Sequence, residues 1–175
     1  MHEALEYLMG ALLIGTGATA FIDVVAAARK WLFGVPSLDY GLVGRWLLYL
    51  GRGRFRHDPI AASPPVRGEH LIGWTAHYLI GIAFAILLLA IWGLDWTCRP
   101  TIEPALIVGV GSVAAPFLIM QPGMGAGIAA SRTPSPAVAR LRSLITHVLF
   151  GVGLYAMGSI ASLLGAFHCG ASAAG

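Results

Sequence analysis

The longest unbroken apolar pattern runs from Leu71 to Trp92, 22 residues without a fully charged side chain. At 1.5 Å per residue it predicts a helix of roughly 33 Å, close to the ~30 Å hydrocarbon core of a bilayer. Three further runs share this character. Tyr7 to Ala28 is interrupted only by Asp23 and ends at Arg29 and Lys30. Ile102 to Met120 follows a Thr101 cap and contains Gly109, Gly111 and Pro116. A last helix opens at Ser135-Pro136, a cap followed by proline at the first helical position, and its apolar part covers 140–164. The expected fold class is therefore all-α: a four-helix transmembrane bundle with spans near 7–28, 71–92, 102–120 and 140–164.

Between the first two spans the pattern changes twice. After the turn Gly34-Val35-Pro36, Ser37 reads as the N-cap of a short helix, 38–50, carrying Trp46, Tyr49 and the single cation Arg45. Aromatic and basic residues on a short amphipathic helix suit the membrane interface. The following stretch, 51–68, is broken by glycine and proline and reads as a loop. Its Arg52, Arg54, Arg56 and Arg67 are candidates for binding anionic headgroups, although a loop held inside by its charge needs no such role.

Composition agrees with the pattern. Hydrophobic residues make up 57% of the 175 and charged residues 11%, with a mean hydropathy of +0.77; soluble domains carry about 25% charged residues. No basic residue precedes the first run, which predicts a retained span and not a cleaved leader. The distribution of cations says more than their sum. Arg29, Lys30, Arg45, Arg52, Arg54, Arg56 and Arg67 lie between the first and second spans, and Arg132, Arg140 and Arg142 between the third and fourth. The other side has only Arg99, so the expected orientation puts both long connections in the cytoplasm and both termini in the periplasm of a bacterial inner membrane. Cys98 and Cys169 fall on that opposite side, where a disulfide and two free thiols are both open readings.

The chain also echoes itself. Ala76-His77-Tyr-Leu-Ile-Gly81 in the second span matches Thr146-His147-Val-Leu-Phe-Gly151 in the fourth, and Gly15-Thr-Gly17 matches Gly109-Val-Gly111. This implies two helical hairpins related as a parallel repeat. Counting from the nearest border charge places His77 roughly 12 Å, Asp23 roughly 9 Å and His147 roughly 8 Å into the membrane. Asp23, His77 and His147 thus share one layer, and intramembrane ionisable residues generally face a bundle interior or a wet cavity.

Three readings of that layer follow. It ties helices together by hydrogen bonds; it binds a divalent metal, or a non-covalent haem b through two imidazoles; or it serves a proton or small-solute path, with Pro116 and Gln121 breaking the third helix. Asp95, Cys98, His168 and Cys169 form a weaker candidate group on the opposite side. The chain has no phosphate-binding loop, zinc-protease helix or nucleophile elbow, which argues against an enzyme. Expected partners are membrane lipids and a second copy or another membrane protein, not nucleic acid.

Three segments carry a resemblance: Gly34-Val-Pro-Ser-Leu-Asp-Tyr-Gly-Leu-Val-Gly-Arg-Trp46, Gly51-Arg-Gly-Arg-Phe-Arg-His-Asp58 and Gly73-Trp-Thr-Ala-His-Tyr-Leu-Ile-Gly81. With Gln121-Pro-Gly-Met-Gly-Ala-Gly-Ile-Ala-Ala-Ser131 and His147, the chain resembles the small bacterial membrane proteins grouped as a domain of unknown function, number 2938. The resemblance implies a bacterial multi-span protein and brings no activity or site residues with it.

Overall fold

The computed structural model describes residues 2–167, and all regular structure among them is helical. In chain order the helices are α1 (His2–Phe33), α2 (Tyr40–Leu50), α3 (Glu69–Trp92), α4 (Asp95–Cys98), α5 (Ile102–Gly111), α6 (Gln121–Gly123) and α7 (Pro136–Leu163). Helix α5 continues toward α6 through a π-helical turn, Pro116–Met120. Four segments are long and apolar enough to cross a membrane: Glu3–Phe33, Glu69–Trp92, Ile102–Gly123 and Pro136–Leu163. Their outward faces expose Leu8, Leu12, Leu79, Ile107 and Leu118, a pattern suited to lipid and unfavourable in water.

The helices outrun their apolar stretches. The first continues to Phe33 because backbone hydrogen bonds do not stop where hydropathy does, and α7 begins at Pro136 for the same reason. Helix α2 starts at Tyr40, not at Leu38. Its cap is Asp39, whose Oδ1 accepts from the Gly41 amide at 2.8 Å, so the carboxylate displaces Ser37 from the role the sequence suggested. Thr101 and Ser135 do occupy the positions before α5 and α7, but neither makes a side-chain capping bond. The break in the third span has a local cause. Pro116 has no N–H to donate, and the turn there widens to a π-helix in which Gln121 N reaches back to Pro116 O.

Helices pack where glycine removes the side chain. A Cβ at Gly15 would lie 2.6 Å from Ile82 Cα, and one at Gly81 would collide with the Thr19 hydroxyl, so α1 and α3 touch backbone to backbone. Gly109 meets Gly151 Cα in the same way where α5 crosses α7. These four glycines are the ones the internal echo aligns, so the two hairpins share their crossing points. Helices α1 and α7 also pack along each other, whereas α3 and α5 barely meet. The fully buried Ile14, Leu88, Leu89 and Leu154 fill the half of the bundle away from the arginines.

At the arginine-rich end α2 lies against the first turns of α3. A Cβ on Gly44 would strike Glu69 O, and one on Gly73 would strike Tyr40 O. A buried fork fastens this contact: Arg45 Nε and Nη2 donate to the Glu69 carboxylate at 2.8 Å each, and Nη1 donates to Ser63 O at 2.9 Å. The Val66 amide adds a 2.8 Å bond to Glu69 Oε2. The 51–68 connection is therefore moored, not loose. It includes a 3-10 turn at Ile60–Ala62, and its His57 and Ile60 amides donate to Gly123 O and Met124 O at 3.0 Å. The run 121–127 is the receiving surface. Gly125 adopts φ +94°, and a Cβ there would stand 2.5 Å from His57 O.

Candidate functional site

On the arginine-rich side of the Gly15–Gly81 crossing, α1 and α3 bring Asp23 and His77 together. His77 Nε2 lies 3.0 Å from Asp23 Oδ1, and Tyr78 Oη donates to Asp23 Oδ2 at 3.0 Å. A carboxylate oxygen accepts, so the proton of the ring sits on Nε2. Tyr40 of α2 brings its hydroxyl to 3.0 Å from the same nitrogen, with its ring stacked on the imidazole at 4.2 Å. Burial first, and then the negative charge of Asp23, push the Tyr40 hydroxyl up, so it stays protonated. Trp74 closes the cluster with its ring 4.5 Å from Tyr40 and edge-on to His77 at 5.9 Å.

The second histidine has different company. His147 Nδ1 is 2.6 Å from Ser112 Oγ, and Ser112 Oγ donates to Gly109 O, also at 2.6 Å. A hydroxyl has one proton, and Ser112 directs it to its own helix. With the Ser112 proton assigned to Gly109 O, His147 is assigned as the Nδ1 donor, which leaves Nε2 as the unprotonated nitrogen.

Both imidazoles line one cavity of about 380 Å³. Its walls come from all four long segments and α2, among them Thr19, Tyr40, Trp46, Phe84, Ala115 and Phe150. Asp23 is not among the lining residues; it stands behind His77. The sequence-derived layer is thus resolved into an Asp23–His77 pair and a separate His147–Ser112 pair that share a chamber. Among the described residues no three His, Cys, Asp or Glu side chains are grouped to hold a metal ion. Asp23 and Tyr40 both engage Nε2 of His77, so a bis-imidazole haem would have to take that ring through Nδ1.

The other expected residues separate. Pro116 lines the cavity. Gln121 does not: its Nε2 donates to Ser143 Oγ at 3.3 Å, and its Oε1 is buried without a protein partner. Arg52, Arg54, Arg56 and Arg67 are exposed on the moored connection, with Arg52 and Arg54 over the Tyr49 ring. Cys98 is disulfide-bonded; His168 and Cys169 lie outside the described residues. Sequence reasoning missed Tyr40, Trp74, Tyr78, Ser112 and the Arg45–Glu69 fork. Trp74, three positions before His77, and Tyr78, next to it and one turn after Trp74, were findable from that register. Tyr40 and Ser112 lie 37 and 35 positions from their histidines, and no local signal marks them.

A family model described as "Protein of unknown function (DUF2938)" matches residues 12–161, and the chain belongs to that family. No curated protein and no solved structure matches it.

Proposed function

We propose, for a chain whose family carries no established activity, a non-enzymatic protein of the bacterial inner membrane that holds a small solute in the chamber between His77 and His147. The observation that carries this reading is the shared cavity, walled by every long helix, with the buried Ile14, Leu88, Leu89 and Leu154 core filling the other half of the bundle. A through-pore would need that core to part, so the resting form is a chamber open toward one half of the bundle. A volume of about 380 Å³ lies within the roughly 300–1,000 Å³ typical of small-molecule sites. The Asp23–His77 pair gives the wall one place where a proton can be taken up beside its counter-charge, which suits proton-linked movement of the solute.

Both termini are assigned to the periplasm and the arginine-bearing connections to the cytoplasm. The cation count supports this, as does the disulfide-bonded Cys98 at the end opposite the arginine-bearing connections, since disulfides persist in oxidising compartments.

Mass spectrometry of small molecules extracted from the purified protein tests the chamber. A solute at near-stoichiometric level in the wild type that disappears when Ala115→Trp fills the cavity is the expected result. No solute in either protein, or equal amounts in both, would overturn the reading.

A further inference from the structure

The hydrogen-bond inventory of the chamber wall is one-sided. Three lining hydroxyls spend their protons on their own helices: Thr19 on Gly15 O at 2.8 Å, Ser112 on Gly109 O at 2.6 Å and Thr146 on Arg142 O at 3.0 Å. The Trp46 indole N–H donates to Phe55 O at 3.2 Å. The His77 Nε2 proton is directed to Asp23, and the Tyr40 hydroxyl, which can only accept from that nitrogen, gives its own proton to Asp23. His147, assigned as the Nδ1 donor, gives that proton to Ser112. Every donor on the lining side chains is thus committed, while the Nε2 lone pair of His147 and the remaining hydroxyl lone pairs are left to accept. The rest of the wall is aliphatic or aromatic.

We propose that the chamber selects small apolar molecules bearing a hydroxyl or N–H donor, and that His147 Nε2 receives that donor. This rests on the chamber reading above and names its ligand class. A ketone, ether or ester would bring acceptors to a wall of acceptors and leave both sides unpaired. A carboxylate would in addition face the Asp23 charge behind His77, with the exposed arginines lying outside the cavity. A free cation would find neutral lone pairs and a carboxylate whose two oxygens are already taken by His77 and Tyr78. The apolar walls favour solutes that partition into the bilayer. At roughly 30 Å³ per non-hydrogen atom, taking water's share of liquid volume as the measure, the space holds about a dozen such atoms.

A matched pair of probes isolates the donor: 4-hexylphenol and its methyl ether, 4-hexylanisole, measured by equilibrium dialysis against the intact protein in detergent, with empty micelles as reference. The wild type is expected to bind the phenol roughly ten-fold more tightly than the ether, the size of one net hydrogen bond. His147→Phe, which keeps the apolar volume, should bring the ratio to about one. His147→Gln, whose amide oxygen accepts, should restore part of it, and this variant guards against a fold defect in the first. Equal binding of phenol and ether by the wild type, or a preference that survives His147→Phe, would overturn the donor assignment while leaving the chamber standing. Failure of both probes to bind, with Ala115→Trp indistinguishable from the wild type, would overturn the chamber itself.

Discussion

His77 and His147 each sit one turn before a glycine at which two long helices touch, Gly81 against Gly15 and Gly151 against Gly109. From the backbone alone the two places are equivalent. Their surroundings are not. The first hairpin adds Asp23, Tyr78 and, through the inserted α2, Tyr40, so its histidine is enclosed by an acid, two hydroxyls and an aromatic shell. The second hairpin has no helix corresponding to α2 in its connection, and there His147 meets a single serine and keeps one nitrogen unprotonated. A repeated crossing therefore supplies a scaffold, and what differs is which partner the connecting chain can bring to it. One histidine becomes part of the wall's framework; the other presents chemistry to the space inside.

The comparison can be broken first at the element that makes the hairpins unequal. Arg45→Met leaves Glu69 as an uncompensated buried charge and should destabilise the protein by about 3–5 kcal/mol, seen as a lowered unfolding midpoint and exposure of Trp46 to quenchers. Arg45→Met combined with Glu69→Leu should recover most of that loss. A double variant as unstable as the single one would mean that α2 is held by something other than the fork.

The two histidine partners offer a smaller and sharper contrast. Asp23→Asn weakens charge-assisted bonds to His77 and Tyr78 and should cost about 1.5–3 kcal/mol. Ser112→Ala removes a bond of the kind that averages about 0.6 kcal/mol between membrane helices. Equal effects in parallel unfolding measurements would erase the proposed difference in character between the sites.

The smallest effect concerns the mooring of the first connection. His57 is buried, with Nδ1 2.9 Å from Ser63 Oγ, and burial, reinforced by the Arg54 charge, lowers its pKa. An unfolded histidine titrates near 6.5, so the neutral folded ring contributes fully above about that value. That contribution is lost as pH falls through the window below it, because the unfolded chain takes up the proton first. The protection factors of the amides in 57–63, corrected for the base-catalysed intrinsic exchange, should therefore fall on going from pH 7.5 to 5, and His57→Gln should flatten the change. A pH-independent protection factor in the wild type would remove His57 from the mooring.

Much of the architecture was legible before any coordinates. Hydropathy is local and nearly additive, so the windows containing Leu71–Trp92 and its three counterparts identify themselves. The aligned glycines pointed to the crossings because close helix contact excludes larger residues. Helix ends were less legible: Ser37 and Asp39 are both good caps, and the choice depended on which side chain could reach an amide once the turn had closed. The polar layer was legible in depth but not in partnership. Rise per residue sets how far a residue lies along the bundle axis, and it says nothing about its azimuth.

The amino-acid sequence by itself determined that four apolar helices form, that glycines mark their contacts and that Asp23, His77 and His147 lie at similar depth, because each of these follows from local composition and helical geometry. Only the tertiary structure decided that Asp23 and Tyr40 engage His77 while Ser112 takes His147, and that the donors of the chamber wall are spent. Those outcomes depend on the rotation of each helix about its axis and on the seating of α2, which emerge when all the faces pack against one another.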